Sequence, residues 1–337
     1  MTTAIVILNW NGKHFLEKFF PTLIGNSNLS DVEIVVADNG STDGSQEWIK
    51  RNHPTVRVIE FEENSGYTGG YNKALALIEA DYFLLLNSDI EVTPEWLLPL
   101  IEAMDKDPDM GICMPKIRSF NDKEYFEYAG ACGGFIDKLG YPFCRGRILS
   151  NIEKDEGQYD QPSEIFWASG AAFMVRSSLF RQMGGFDDLF FAHMEEIDLC
   201  WRAKGNGWKV YIVPQSIVYH VGGGTLPNDS PRKLYLNYRN NLLMLYKNLP
   251  GKSLFVILLS RMFLDAASAT MFLLQRKAAL FKAVWQAHLD FFKLKKRTQR
   301  TPSKSYRKMG GRYNGSIVFS FFFSRKKIKF SDLTKIR

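Results

Sequence analysis

The sequence predicts an α/β fold: a mainly parallel sheet with helices on both faces. Three observations lead there. Residues 4–8, 33–37, 56–61 and 82–86 are short runs rich in Val, Ile, Leu and Phe, as strands covered on both faces must be. Helical patterns separate them at the spacing of parallel crossover units. Three of the four runs end in loops rich in Asn, Asp, Ser and Gly, and ligands of open α/β sheets sit at the carboxyl ends of strands.

The first run ends in Asn9-Trp10-Asn11-Gly12, and a helix follows with Phe15, Leu16, Phe19, Phe20 and Leu23 on its inner face. The second ends in Asp38-Asn39-Gly40-Ser41-Thr42-Asp43-Gly44, with a helix from Ser45. The third is followed by a glycine-rich loop over residues 64–72 and a helix over 73–78. The fourth, all apolar, runs into Asn87-Ser88-Asp89, where a carboxylate can hold a hard divalent cation beside a phosphate ligand. Helix capping explains any one of these loops. It explains less well an acid that closes the second strand and opens so long a polar turn.

Residues 95–104 read as a helix and 111–115 as a short strand. Residues 120–161, rich in Gly, Tyr and charge, read as an excursion of the kind that binds substrate or is simply solvated. Residues 165–175 read as extended, and a helix starts at Glu196 with Ile197, Cys200 and Trp201 inward. Asp198 and Arg202, four apart, can pair along it. Glu195 and Glu196 lie at its start, where the helix dipole favours negative charge. Residues 210–213 and 217–221 read as strands on either side of Pro214, and His220 stands before the glycine turn Gly222-Gly223-Gly224-Thr225, a place that suits a metal ligand.

Several classes are excluded. The Gly66-x-x-Gly69-Gly70 cluster has the wrong spacing for a dinucleotide fingerprint, and no P-loop occurs. No nucleophile–His–acid signature is visible. With 337 residues and 45% hydrophobic content, the chain can bury a large core. The amino terminus has no basic n-region and too short an apolar run for a secretory signal. Cys113, Cys132, Cys144 and Cys200 lack zinc-like pairing, so reduced thiols in the cytoplasm are expected.

Together these stretches carry a resemblance. The chain resembles the inverting family-2 glycosyltransferases of GT-A fold, most closely their rhamnosyltransferase-like branch. It does so through Asn9-Trp10-Asn11, the 38–44 turn, Asn64-x-Gly66-x-x-Gly69-Gly70-x-Asn72, Asn87-Ser88-Asp89, Ser169-Gly170-Ala171, Gly184-Gly185-Phe186-Asp187, Glu195-Glu196-Ile197-Asp198-Leu199-x-x-Arg202 and His220. The resemblance covers residues 1–245. It implies a catalytic unit there, with a nucleotide-binding half (1–110) and an acceptor half (111–245), and a helical, basic, membrane-associating region (246–337).

By position, Asp38 resembles the acid that contacts the base, and Asn9, Asn11, Gly66, Asn72 and Ser88 resemble other nucleotide-pocket residues. Asp89 and His220 resemble ligands of a divalent cation, Mg2+ or Mn2+. Glu196 resembles the catalytic base, with Glu195 beside it. Trp167, Ser169, Gly170, Asp198 and Arg202 fall among the sugar and acceptor positions. Two departures stand out: Asn87 replaces the first acid of the Asp-x-Asp motif, and the base is Glu rather than Asp. The implied partners are a nucleotide-diphosphate sugar and a saccharide or lipid-linked saccharide acceptor, in cell-surface polysaccharide synthesis. The alternative is a non-catalytic nucleotide-sugar-binding or scaffold protein with the same fold.

The net charge of +7 is unevenly placed. Residues 276–337 hold 18 of the 43 Lys/Arg and two of the 36 acids, a net of +16, which leaves −9 on the rest. Residues 254–274 are apolar enough to raise a membrane span, but Arg261 and Asp265 near the centre would each cost about 2.5–3.5 kcal/mol. A helix packed on the body or lying in the interface is the better reading. Residues 276–294 are basic and amphipathic with aromatics, residues 317–323 are apolar, and Arg325-Lys326-Lys327 follows. This pattern suits an anionic membrane surface on the cytoplasmic side. No nucleic-acid-reading module is present.

Overall fold

The computed structural model describes residues 1–222, 230–303, 305–324, 327–334 and 336. Of the sequence features above, Gly223, Gly224 and Thr225 and the Arg325-Lys326 pair lie outside the described residues. β1 (Thr3–Asn9), α1 (Lys13–Asn26), β2 (Val32–Asn39), α2 (Ser45–Asn52) and β3 (Arg57–Phe61) form the first crossover units. After α3 (Gly66–Leu75), β4 (Tyr82–Asn87) lies parallel against β1, with Tyr82 to Leu86 completely buried.

The glycine-rich stretch expected as loop is the first part of α3. Its glycines allow close packing: a Cβ on Gly70 would stand 2.7 Å from Leu8 of β1, and one on Gly66, which has φ +76°, 2.5 Å from the Phe191 ring. The helix expected from residue 95 starts later, as α4 (Leu98–Lys106), because Glu95 has φ +57° and Pro99 belongs to the first turn.

β5 (Ile90–Val92) precedes α4, and β6 (Met110–Ser119) follows it. The excursion folds as a small antiparallel sheet of β7 (Gly134–Asp137), β8 (Pro142–Cys144), β9 (Arg147–Ile148) and β10 (Asn151–Ile152). Then come β11 (Ser163–Glu164), β12 (Ala172–Arg176), α5 (Ser177–Gln182), α6 (Glu195–Gly205) and β13 (Lys209–His220).

The main sheet runs β11-β13-β6-β12-β4-β1-β2-β3, with β5 on β13. β12 is antiparallel to both neighbours, β4 and β6. The extended run expected from residue 165 therefore becomes strand only at Ala172. Trp167 instead bridges Gly134 of the small sheet. β13 is one strand where two were expected, and a register irregularity between Val213 and Ile217 accommodates Pro214, which has no N–H to give.

α7 (Pro231–Asn248), α8 (Gly251–Leu274) and α9 (Ala278–Leu294) pack on one another. The chain beyond them is pinned to the body. Arg300 donates to the Tyr246 and Leu249 carbonyls at 2.9 and 2.7 Å. Tyr306 stacks on Trp201 at 4.9 Å. β14 (Arg312–Tyr313) joins β7 as the fifth strand of the small sheet, ahead of α10 (Ile317–Phe322). Phe330 then packs on Phe135 and Tyr159.

Candidate functional site

The ends of β1 and β2 are tied together by side chains. Asn9 is fully buried, with its amide nitrogen 2.8 Å from Asp38 and 2.9 Å from Ser45. The Asn9 amide oxygen is buried with no partner. A Cβ on Gly12 would stand 2.5 Å from that oxygen and 3.2 Å from the Ser88 hydroxyl, so Asn9, Gly12 and Ser88 converge. Asp38 accepts from the Ser41 N–H at 2.8 Å and from Gln46 at 2.7 Å. Exposed Asn11, at φ +52°, accepts from the Thr42 N–H at 2.8 Å. The result is a polar rim at the carboxyl edge of the sheet, above β1, β2 and β4.

Asp89 follows β4, and His220 ends β13. They come together because β5 pairs with β13 and places Ile90 opposite His220. Both are buried, with His220 Nε2 3.2 Å from Asp89 Oδ1. His220 Nδ1 faces the Glu127 carboxylate at 3.4 Å. Burial alone would lower the His220 pKa, but the charges of Asp89 and Glu127 push it up to about 10. Burial alone would raise the Asp89 pKa, but His220 keeps it below the usual range.

Among the described residues no cluster of three or more His, Cys, Asp and Glu side chains forms a ready metal cage. Asp89 and His220 still fit a shared cation: an oxygen and a nitrogen donor converge, and Glu127 stands behind the imidazole as an outer carboxylate does behind a ligating histidine.

Glu195 and Glu196 open α6. The turn before them is held in an uncommon conformation, with Phe191, His193 and Met194 at φ +65°, +70° and +75°. Asn240 of α7 holds it there, donating to the Phe190, Ala192 and His193 carbonyls at 2.9, 2.8 and 2.7 Å. Arg239 adds bonds to the Leu189 and Phe190 carbonyls. Glu195 is buried, whereas Glu196 keeps part of its surface open, and each has an Oε2 without a partner. Burial pushes the Glu196 carboxyl up to about 7, and burial with the neighbouring Glu196 charge pushes Glu195 well above the carboxylate range. Glu196 packs beside Gly170, whose carbonyl accepts from the Tyr67 hydroxyl at 2.7 Å. The Asn87 N–H donates to the Ala171 carbonyl at 2.9 Å, which joins this segment to the loop of Ser88 and Asp89.

The model of glycosyl transferase family 2 matches residues 4–184. The chain belongs to that family. An N-acetylglucosaminyl-diphospho-decaprenol L-rhamnosyltransferase of Mycobacterium tuberculosis is 27% identical over 259 residues, 72% of this chain and 83% of the relative. A low-salt glycan biosynthesis hexosyltransferase, Agl10, of Haloferax volcanii is 23% identical over 247 residues, 71% and 74% of the two chains.

Among solved structures, GalNAc-T7 with UDP, GalNAc and Mn2+ superposes with a TM-score of 0.59 at 18% identity, covering 74% of this chain and 48% of that one. S. aureus TarS with UDP-GlcNAc gives 0.56 at 17% identity, covering 85% and 81%. This family-2 glycosyltransferase is rhamnosyltransferase-like in sequence and has the GT-A fold.

Five residues expected at the site of the glycosyltransferase bond to packing partners. Asp198 is fully buried against Arg202, Lys247 and Asn248. Arg202 also donates to the Met183 and Gly185 carbonyls. Trp167 donates to the Phe135 carbonyl, and Asn72 donates to the Phe186 carbonyl and Asp188. Ser169 holds its own turn, bonding to Ala129 and Ala171.

Conversely, Tyr67, Glu127 and the Arg239–Asn240 pair stand at the site without having been expected there. Glu127 sits in an excursion with no motif to mark it. The polar run Arg239-Asn240-Asn241, just ahead of the apolar Leu242-Leu243-Met244-Leu245, was a readable signal of a buried role.

Proposed function

We propose that this enzyme transfers a sugar with inversion from a nucleotide diphosphate to a hydroxyl of a lipid-linked saccharide, in cell-surface polysaccharide synthesis. Its cofactor is Mg2+ or Mn2+, and its donor is rhamnose carried on thymidine diphosphate. It works on the cytoplasmic face of the cell membrane as a peripheral protein. The observation that carries this reading is a partly buried, raised-pKa carboxyl, Glu196, set on the same sheet edge as the Asp89–His220 pair and the Asn9–Asp38 rim.

Glu196 takes the proton of the acceptor hydroxyl. The acceptor oxygen bonds to the anomeric carbon as the bond to the diphosphate breaks on the opposite face, so the centre inverts. Asp89 and His220 would hold the cation, which when bound would supply positive charge to offset that of the leaving diphosphate. Asn9, Asn11, Asp38, Gly66, Asn72 and Ser88 form or support the nucleotide pocket. Gly170 lies beside the base, and Trp167, Ser169, Asp198 and Arg202 hold the sugar wall from behind. The name of the mycobacterial relative supports rhamnose as the sugar and a lipid-linked saccharide as the acceptor, and the Mn2+ of the solved neighbour supports the cation.

The test is turnover by purified enzyme on a panel of nucleotide-sugars with a lipid-linked saccharide. Transfer from thymidine-diphospho-rhamnose that stops with chelator is expected. Tight nucleotide binding without transfer to any acceptor would leave a nucleotide-sugar-binding protein.

A further inference from the structure

α8 is built inside out for a helix facing water. Its buried positions are Ile257, Arg261, Asp265 and Ala269, a single stripe at four-residue spacing. Arg261 lies over the Tyr141 ring at 3.7 Å, bonds Asn241 and pairs with Asp265 at 3.7 Å. Exposed on the rest of the helix are Phe255, Val256, Leu259, Phe263, Met271 and Leu274, with Phe263 75% and Leu274 79% accessible. An ordinary surface helix has the opposite arrangement.

α9 extends the apolar face through Trp285, Leu289 and Phe292, all exposed. Between the two helices runs an apolar groove of ≈ 260 Å³ that includes Met262, Ala266, Val284 and Trp285. Cations rim the surface: Lys252 at one end of α8, Arg276 and Lys277 at the other, and Lys282, Lys293 and Lys296 on or just after α9, all exposed.

We propose that the outward face of α8 and α9 is a docking surface for an anionic lipid bilayer. It lies in the interface, with the apolar side chains among the acyl chains and the cations at the headgroup phosphates. α8 is long and apolar enough to cross a membrane. Crossing would tear the Arg261–Asp265 stripe from Tyr141 and Asn241, and the Tyr238–Ser268 hydrogen bond of 2.8 Å from α7.

A second copy of the chain is the poorer occupant, because a two-fold contact would bring the two cationic rims together. The surface is also close to the site. Trp285 lines a second cavity with Arg232 of α7, and Arg232 lies 5.4 Å over the Phe191 ring, in the turn that presents Glu195 and Glu196. The inference rests on the sugar-transfer reading for the purpose of the surface and not for its existence.

The test uses the full chain with phosphatidylcholine vesicles, with and without phosphatidylglycerol, read by sedimentation. Thymidine diphosphate affinity is read in parallel by calorimetry. The chain should pellet with the anionic vesicles. Leu259→Glu with Phe263→Glu, and separately Trp285→Glu, should each lower partitioning by about tenfold or more, with melting curve and nucleotide affinity unchanged.

Nucleotide binding that fails while vesicle binding behaves as described would sink the donor reading and leave this surface supported. No sedimentation at low salt, or variants that sediment like the parent, would overturn the proposal. So would a lipid-free dimer that the variants dissociate, or retention through an alkaline wash, which marks a span.

Discussion

A carboxyl withdrawn from water holds its proton more tightly, and Glu196 is such a group: burial pushes it up to about 7 from an ordinary 4.5. Two consequences follow with definite signs. A general base must be deprotonated, so turnover should climb as pH rises through about 7. The native state also keeps a proton that the unfolded chain has released between about pH 4.5 and 7, so this group's contribution to stability is lost as pH rises through that window. Glu196→Gln should therefore melt higher than the parent at pH 8, by about 1–3 kcal/mol of stability. The two curves should meet below pH 4.5; a variant that melts lower at pH 8 would contradict the burial argument. At the other end of the site, Glu127→Ala should weaken Mn2+ binding in the presence of nucleotide by about 10–100-fold, measured by electron paramagnetic resonance. Asp38, Asp89, Glu196 and His220 were legible in the sequence because each closes an apolar run or opens a helix. Glu127 was not, since its place beside His220 comes from a loop crossing that no local pattern records.

α6 and α7 together set where the paired carboxyls stand. α6 is buried on nearly all sides, so its first turn can be aimed only from outside, and α7 does this through Asn240. Asn240→Leu keeps a similar volume but takes the amide donor from the Ala192 and His193 carbonyls, while Arg239 still serves Phe190, at a cost of about 1–3 kcal/mol. Turnover should fall while thymidine diphosphate affinity holds; equal loss of both would mean that the helix, and not the turn, had moved. The strands of the nucleotide half were readable because buried parallel strands leave continuous apolar runs. α3 was misread as loop because its three glycines argue against a helix locally, whereas tight packing on Leu8 and Phe191 requires them. β12 was readable as extended but not as antiparallel, since direction is set by where the chain must go next.

Across the whole molecule, the segment after α9 was expected as a basic arm beside an acidic body, yet it is a strap. Tyr306 on Trp201, β14 on β7, and Phe330 among Phe135, Phe143 and Tyr159 tie it to the small sheet. Charge counting could not reveal this, because the anchoring residues are aromatic and scattered between the lysines. A chain ending at Ser303 should thus lose stability, by about 3–5 kcal/mol if one buried aromatic contact dominates, and unfold at lower urea than the full chain. An unchanged midpoint would return the segment to the role of a free arm. Which of the two adjacent carboxyls is the base is decided by donor affinity and turnover of Glu196→Gln beside those of Glu195→Gln. Intact affinity with turnover down by about 10²–10⁴-fold in Glu196→Gln is the predicted result. An active Glu196→Gln beside a dead Glu195→Gln would contradict it.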